Sequence, residues 1–344
     1  MELGVSMFAD LPVDPMTGKH VKAKNRLKEL LEEIKLADQV GLDVFGVGEH
    51  HRSDYAVSSP ETILAAASTI TQNIKLGSAV TVLSSSDPVK IYQRFATIDL
   101  ISDGRAELIA GRGSFVESFP LFGYDLKDYN RLFEEKLDLL LAINQNEEIS
   151  WKGTVRPALT KQKVLPRASG GGLPIWIASG GTPESILRAG KMGLPLMVAI
   201  IGGYPSQFKR HFAFYENEYK KRGYDMTKYQ VGIHSHGLIS DDRKKVIEDY
   251  FPLYAAQMDR IGRERGWPGY TMGQFEMGIS PMGALFVGEP AEITDKILAQ
   301  VEMFGLTRFV MHMDVGGPSH QDLMKSIELL GTKVAPEVRK AVSK

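Results

Sequence analysis

The chain has 344 residues, which is longer than a usual domain but normal for a single α/β barrel. Its 41 lysines and arginines nearly balance 42 acidic residues, which argues against a basic nucleic-acid-binding face, and the absence of cysteine excludes disulfides, thiolate zinc sites and a cysteine nucleophile. We expect a soluble cytoplasmic protein, because the amino terminus lacks the basic and apolar regions of a signal peptide and no apolar run approaches the roughly 20 residues of a membrane helix.

Short apolar runs alternate with amphipathic stretches along the chain. Such runs are typical of parallel strands buried on both faces, and apolar residues at helical spacing predict helices between them. The predicted elements are, in order, strand Leu3–Phe8, helix Asn25–Val40, strand Asp43–Gly48, helix Pro60–Thr71, strand Lys75–Leu83, helix Pro88–Ile101, strand Arg105–Ala110, helix Tyr129–Asn144, strand Pro174–Ala178, helix Pro183–Met192, strand Pro195–Ile201, helix Ser206–Arg222, strand Tyr229–Ile239, helices Asp241–Arg260 and Pro290–Phe304, strand Arg308–Met313, and a last helix from His320 to about Lys333.

Eight strand–helix units without a break in composition predict a (β/α)₈ barrel that forms a single domain over residues 1–344. A doubly wound open sheet is the alternative, and eight consecutive units favour closure. Two connections are longer than a barrel needs, namely Glu147–Gly172 before the fifth strand and Arg263–Gly288 before the eighth. We predict insertions there, and long loops of this kind usually have a functional role.

Residues that could bind a ligand or react stand at or near the ends of the predicted strands, with His234 and His236 within the seventh strand. In such a barrel the strand ends form the catalytic face. These residues are Glu49, His50, His51, Thr81, Arg112, Ser179, Gly180, Gly181, Thr182, His234, His236, His312 and Asp314. The turn 179–182 leads into a helix, so its glycines let a ligand approach the free N–H groups of the helix start. A capped turn with Thr182 as the cap is the plainer explanation. Arg112, between two glycines at a neighbouring strand end, favours a phosphate, since a guanidinium can bind phosphate with two hydrogen bonds.

Several short motifs occur here in the order seen in the bacterial luciferase-like flavin monooxygenases, which the chain resembles from Met1 to about Val338. The resemblance is weakest over Lys152–Gly172 and Arg263–Gly288. The motifs are Glu49-His50-His51, Gly77-Ser78-Ala79-Val80, Asp87-Pro88-Val89, Asp103-Gly104-Arg105, Gly111-Arg112-Gly113, Phe122-Gly123 and Gly193-Leu194-Pro195.

The resemblance implies a role for individual positions. It implies that Ser78, Ala79 and Val80 form the platform of the flavin ring, with a cis peptide bond between Ala79 and Val80. The small residues of that strand leave room for a flat ring, although tight packing alone would also explain them. The remaining cofactor contacts that it implies are Arg112, Ser179, Gly180, Gly181 and Thr182 around the FMN phosphate and Ser114 under the ring edge. His50 is implied as the acid/base, beside Glu49 and His51.

The resulting hypothesis is a two-component FMN-dependent monooxygenase that uses reduced FMN and O₂. No Gly-x-Gly-x-x-Gly opens a strand–helix unit, so we expect a separate flavin reductase, and weak binding of NAD(P)H at the flavin face is the alternative. We also expect a homodimer. The family's reactive cysteine is replaced by Gly111, so thiol chemistry and light emission are not expected.

The substrate is expected to be apolar or amphipathic. The segment Arg263–Gly288 is rich in glycine, methionine and aromatic residues, which favours a mobile lid over the cavity, and static packing against the barrel is the alternative. The predicted substrate contacts are His234, His236, Trp267 and Phe275.

Three other functions stay open at this point. A deazaflavin (F420)-dependent hydride-transfer oxidoreductase would use the same barrel and phosphate region. A metal-dependent hydrolase could use His234-Ser235-His236 with Glu49, His50 and Asp314, but it would leave Arg112 and the glycine turn without a role. A non-catalytic flavin carrier is the third possibility, and the intact set of residues 49–51 weighs against it only slightly.

Overall fold

Eight parallel strands close into a barrel in the computed structural model, which describes residues 1–13, 21–113 and 115–343. The barrel strands, β1 to β8 in chain order, are Glu2–Met7, Val44–Val47, Lys75–Ser78, Ala106–Gly111, Ile175–Ser179, Leu196–Ala199, Val231–Ile239 and Arg308–His312. β1 pairs with β8, with Ser6 opposite His312, and β6 pairs with β7, so the sheet has no open edge between first and last strand. The predicted barrel is confirmed, and the alternative prediction of a doubly wound open sheet is wrong.

Helices surround the barrel and join consecutive strands. They are Ala23–Gln39, Pro60–Ser68, Pro88–Ile101, Ser118–Leu121, Tyr129–Gln145, Pro183–Met192, Lys209–Lys221, Arg243–Arg265, Met272–Ile279, Pro290–Phe304, His320–Leu329 and Ala335–Val342. Local chemistry sets several boundaries: Asp87 caps the third helix by accepting from two backbone N–H groups, and Gly266 ends the long helix at φ 69°. No helix in the described ranges is long and apolar enough to cross a membrane.

The predicted third strand is interrupted. β3 ends at Ser78, and a two-residue strand, Thr81–Val82, continues the pairing with β4. Between them the Ala79–Val80 peptide bond is cis, which confirms the bond expected from the family resemblance.

Both long connections contain secondary structure that was not predicted. An antiparallel hairpin, Glu148–Trp151 with Leu159–Lys163, lies before β5. Before β8 the helix Met272–Ile279 is followed by a strand, Phe286–Gly288, that pairs with β7. The second hairpin strand reads Leu-Thr-Lys-Gln-Lys and is mostly exposed, so it has no apolar alternation from which a strand could be predicted.

The interior of the barrel is closed at its amino-terminal end. Arg308, the first residue of β8, is fully buried, forms ion pairs with Glu2 and Glu107, and lies 4.2 Å above the Trp176 ring centroid. A buried guanidinium needs such partners, because an unpaired charge there would be costly. In the part of the chain that the structure describes, the barrel is therefore open to a ligand at the carboxyl ends of the strands, where the predicted site residues lie.

Candidate active site

A cavity of about 430 Å³ opens at the carboxyl ends of the strands. The predicted site residues that line it are Glu49, His50, His51, Ser78, Ala79, Val80, Arg112, Ser179, Gly180, Thr182, His234 and His236. Gly181 lies in the same turn without lining the cavity, and Ser114 falls outside the described residues. The structure therefore brings together residues that are almost 190 positions apart in the chain, from Glu49 to His236.

Arg112 joins the ends of two neighbouring strands. Its Nη2 donates to Thr182 Oγ1 at 3.2 Å and its Nη1 donates to Asn130 Oδ1 at 2.9 Å, while the guanidinium lies 5.3 Å from the Tyr129 ring centroid. Thr182 occupies the cap position of the helix Pro183–Met192, but its side chain makes no capping bond to that helix. A guanidinium held on three sides beside a hydroxyl and a helix start is suited to bind an oxyanion.

The glycine turn adds backbone to this end of the cavity. Gly181 has φ 99°, and its N–H donates to Ser179 Oγ at 3.1 Å. A Cβ at Gly181 would lie 2.9 Å from the Phe208 ring, so glycine is required there. A Cβ at Gly180 would meet no atom within 4 Å, so the backbone there faces open space that a ligand can fill.

Two residues of this end were missed by the sequence reasoning, namely Tyr129 and Asn130. Both stand in the first turn of the helix Tyr129–Gln145. In a (β/α)₈ barrel each helix begins at the catalytic face, because it follows the loop that leaves a strand end. Polar residues in the first turn of a helix are therefore a sequence signal for this face, as are those at the strand ends.

Glu49 and His51 form a pair beside the interrupted third strand. Glu49 Oε2 accepts from the Val82 backbone N–H at 2.8 Å, and its Oε1 lies 2.9 Å from His51 Nε2. The carboxylate therefore bridges the backbone that follows the cis peptide bond and the second imidazole. Both contacts fix the orientation of the Glu49 carboxylate.

His50 is buried among aromatic rings. Its ring stacks on Tyr55 with centroids 4.2 Å apart, and the Phe8 and Phe115 rings lie at 4.9 and 5.3 Å. Burial lowers the pKa of His50 below its ordinary value, so the ring is mainly neutral at pH 7. Glu117 Oε1 lies 3.8 Å from His50 Nδ1, a neighbour that the sequence reasoning did not identify.

Three histidines form the opposite wall. His234 Nε2 lies 2.6 Å from Ser6 Oγ, His236 Nδ1 lies 3.0 Å from Tyr254 Oη, and His312 Nε2 lies 3.1 Å from Asp314 Oδ1. Burial lowers the pKa of His234 to about 3 and that of His236 well below its ordinary value. The two imidazoles on β7 are therefore neutral hydrogen-bonding groups.

The donor set of this wall does not suit a catalytic metal. One oxygen each from Asp10 and Asp314 and one His312 nitrogen lie within 4.8 Å of one another. The Asp314 carboxylate, however, already accepts from the Phe8 and Ala9 N–H groups and from the Arg26 guanidinium. A cation there would have to displace an arginine. The geometry therefore disfavours the metal-dependent hydrolase.

The structure does not bring the two predicted substrate contacts of the segment Arg263–Gly288 to the cavity. Phe275 is fully buried and packs against the rings of Tyr250, Phe251 and Tyr254, and Trp267 is 52% exposed. Neither residue lines the cavity. Phe275 anchors the segment because its ring fills an aromatic pocket under the helix Arg243–Arg265, and this packing favours a fixed segment over a mobile lid.

A buried lysine holds the far end of the same segment. Lys296 Nζ donates to the carbonyl oxygens of Gly278, Ser280 and Leu285 at 2.6 to 3.1 Å. These bonds tie the end of the helix Met272–Ile279 to the residues before the strand Phe286–Gly288, where the Leu285 N–H also donates to the Gly278 carbonyl at 2.9 Å. The residue from this part of the chain that does line the cavity is Arg265.

The chain is similar in sequence to a known protein family and to individual proteins. A family model described as luciferase-like monooxygenase matches residues 1–308. The uncharacterized protein y4vJ of Sinorhizobium fredii (strain NBRC 101917 / NGR234) is 23% identical, over 98% of this chain and 99% of its own length. The 4-hydroxyprotoasukamycin monooxygenase of Streptomyces nodosus subsp. asukaensis is 27% identical, over 64% of this chain and 61% of its own length.

Solved structures share the fold over nearly the whole chain. The monooxygenase RslO1 from Streptomyces bottropensis has a TM-score of 0.83 and 20% identity, covering 98% of this chain and 99% of its own. The oxygenating constituent of 3,6-diketocamphane monooxygenase from Pseudomonas putida, a type II Baeyer-Villiger monooxygenase in complex with FMN, has a TM-score of 0.76, 20% identity and coverage of 98% and 99%. An F420-dependent secondary alcohol dehydrogenase has a TM-score of 0.76, 17% identity and coverage of 98% and 100%.

Proposed function

Since the chain belongs to the luciferase-like monooxygenase family, we propose that it is a two-component monooxygenase that uses reduced FMN and O₂ to oxidise an apolar or amphipathic small molecule. The observation that carries the proposal is the hydrogen bond from Arg112 to Thr182. It places a fixed positive charge beside the glycine turn, at one end of a cavity whose other end holds a neutral buried histidine. A cofactor with a phosphate at one end and a flat ring at the other matches this arrangement, with the phosphate beside Arg112 and the ring beside His50.

The residues present fit FMN. Arg112, Thr182 and the backbone at Gly180 would hold the phosphate, and the strand from Ser78 to Val80 would support the ring. Bound in its reduced form, FMN supplies the activation of O₂. The protein would exclude water from that reaction. The apolar side chains of Phe8, Val82 and Ile109 in the cavity wall would contribute to this exclusion.

His50 is proposed as the group that moves a proton at the reacting end. Its ring is neutral near pH 7 because burial lowers its pKa, so it can accept a proton without first losing one. The substrate would lie against the wall formed by β6, β7 and β8. There Met197 and Val310 offer apolar area, and His234 and His236 offer neutral hydrogen-bonding groups. This wall, rather than the segment 263–288, supports an apolar or amphipathic substrate.

Two partners belong to the proposal. A separate flavin reductase would deliver reduced FMN, since the sequence contains no dinucleotide-binding motif between a strand and a helix. A homodimer is the proposed assembly.

Binding of FMN to purified protein tests the phosphate assignment. Arg112→Ala removes a charged donor, and hydrogen bonds to charged groups contribute about 1.5–3 kcal/mol, so FMN should bind roughly 10- to 100-fold more weakly. Arg131→Ala is the matched control, because Arg131 follows Asn130 on the helix Tyr129–Gln145 and pairs with Asp128 instead. His50→Ala should keep most of the affinity and lose turnover. Equal FMN affinity in the wild type and Arg112→Ala would overturn the assignment.

A deazaflavin-dependent hydride transferase is the second candidate, favoured by the shared fold of the F420-dependent alcohol dehydrogenase. A fluorescence titration of the purified protein with FMN, riboflavin and F420 separates the two candidate functions. The monooxygenase proposal expects FMN to bind more tightly than riboflavin, which lacks the phosphate, and more tightly than F420. Preference for F420 would replace the monooxygenase with the hydride transferase.

A further inference from the structure

Glu117 lies in the cavity wall beside His50, and the function proposed above gives it no role. It follows β4 and occupies the position just before the short helix Ser118–Leu121. Its side chain is 22% exposed, so it is mostly withdrawn from water. A carboxyl group in such a place needs a partner, because burying an unpaired charge is costly.

The carboxylate is turned toward the second strand's end. Glu117 Oε1 accepts from the His51 backbone N–H at 3.3 Å and lies 3.8 Å from His50 Nδ1. Its Oε2 is buried and has no hydrogen-bond partner among the described residues. One oxygen therefore faces Nδ1 of the imidazole that is proposed to move the proton.

Charge around His50 comes from few groups. Burial alone would raise the pKa of Glu117, but the facing His50 ring and the backbone N–H of His51 lower it below its ordinary value, so the group is ionised at neutral pH. For His50 itself, burial lowers the pKa, the carboxylates of Glu117 and Asp54 raise it, and His312 lowers it. Among the described residues, the aromatic rings of Phe8, Tyr55 and Phe115 also lie close to the His50 ring.

A carboxylate next to Nδ1 decides where the proton of a neutral imidazole lies. With the proton on Nδ1, the positive end of the N–H dipole lies on the side of the ring whose nitrogen is 3.8 Å from the negative oxygen, which is favourable. With the proton on Nε2, the lone pair of Nδ1 faces that oxygen, which is repulsive in a poorly hydrated site. The first tautomer leaves Nε2 free to accept a proton.

We propose that Glu117 is a positioning residue for His50, which keeps the neutral imidazole in the Nδ1–H tautomer and so makes Nε2 the proton acceptor of the cavity. The catalytic consequence rests on the proposed monooxygenase function, whereas the tautomer itself does not. A merely structural Glu117 would only hold the turn 49–51 through the His51 N–H.

The tautomer can be measured without cofactor. In protein labelled with ¹⁵N-histidine, long-range ¹H–¹⁵N correlation spectra distinguish the two neutral tautomers, and a His50→Gln variant assigns the His50 signals. The wild type should show Nδ1–H at His50. In Glu117→Gln the amide NH₂ can donate to Nδ1, so the ring should change to Nε2–H and its pKa should fall. An unchanged tautomer and pKa in Glu117→Gln would overturn the proposal.

Glu49→Gln is the matched control, since the Glu49 carboxylate contacts His51 and not His50. It should alter the His51 signals and leave the His50 tautomer as in the wild type. Glu117→Asp keeps a carboxylate and should retain a larger share of Nδ1–H than Glu117→Gln. If His50 also changed from Nδ1–H to Nε2–H in Glu49→Gln, the turn 49–51 would have been disturbed as a whole. That result would count against a specific role for Glu117.

A second readout connects the tautomer to function. With photoreduced FMN and O₂, Glu117→Gln should slow the His50-dependent step roughly 10- to 100-fold, a part of the 10²–10⁴-fold that general acid–base groups supply, and shift its pH profile downward. The FMN affinity should change little. Failure of FMN to bind would remove the proposed function while leaving the tautomer result intact, and an unshifted pH profile with FMN bound would remove the positioning role alone.

Discussion

Gly111, the last residue of β4, is the position where an added side chain would disturb the ring platform most directly. A Cβ there would lie 2.5 Å from Val80 Cγ2, 2.9 Å from Val80 Cβ and 3.2 Å from Val80 Cγ1. Both residues line the cavity. Gly111→Ala must therefore move Val80, and the reactive cysteine of the luciferases would meet the same obstacle.

The size of the effect follows from these distances. Because the Val80 Cβ is itself within 3.0 Å, rotating the isopropyl group cannot relieve the overlap, and the backbone must shift. Overpacking of this kind costs about 1–3 kcal/mol of stability. Val80→Ala removes the nearest atom of the clash at a cost of about 1 kcal/mol for the half-buried methyl groups. The double variant should then be more stable than the sum of the single effects by about 1 kcal/mol.

Urea denaturation of the wild type, both single variants and the double variant gives this coupling energy directly. FMN titration of the same proteins should show weaker binding by Gly111→Ala, because Val80 is pushed into the proposed ring site. Gly180→Ala is the control for stability, since a Cβ there meets nothing within 4 Å and should change the free energy of unfolding by less than about 0.5 kcal/mol. Strict additivity of Gly111→Ala and Val80→Ala would refute the reasoning.

Phe275→Ala should lose about 3–5 kcal/mol of stability and expose the segment 263–288 to limited proteolysis, because the Phe275 ring fills a buried aromatic pocket. Trp267→Ala, at an exposed site, should cost less than about 1 kcal/mol of stability. The wild-type segment should resist cleavage with or without reduced FMN, and rapid cleavage that ligand slows would restore the mobile lid. Burial lowers the pKa of His236 well below 6.5. Below about pH 6.5 the unfolded chain therefore binds a proton that the folded chain does not, and stability falls by up to about 1.4 kcal/mol per pH unit. His236→Gln should flatten that slope in urea denaturation at pH 7.5, 6.5 and 5.5, and equal slopes would contradict this origin.

The barrel could be predicted because its signal is repeated and local. Each buried parallel strand is a short apolar run, and each helix between strands has its own periodicity. Closure then fixes which strand ends are neighbours: Ala110 of β4 pairs with Ile177 of β5, so Arg112 and Thr182 meet although 70 residues separate them. The grouping of candidate residues at one face followed from this geometry without any knowledge of side-chain contacts.

The segment 263–288 could not be placed in the same way. Methionine, aromatic residues and glycine suit a mobile cover and a packed cluster equally well, and the choice depends on whether a partner surface exists. The helix Arg243–Arg265 supplies that surface with Tyr250, Phe251 and Tyr254. One local signal was available, since Thr271 and Gln274 form a capping box that begins a helix, but the glycines nearby weakened it.

Several site residues could not be identified from the sequence, and the physical reason is the same for each. Arginine, glycine and histidine at a strand end are recognisable by type, whereas the groups that tune them come from helix starts and loops whose direction depends on packing. Asn130 orients Arg112, Tyr254 bonds to His236, and Glu117 faces His50. Such partners decide protonation and orientation, so a chain with the same histidine and a different residue at 117 would keep the motif and change the proton acceptor. The Glu117→Gln measurement is for that reason a test of how much a strand-end motif can say about chemistry.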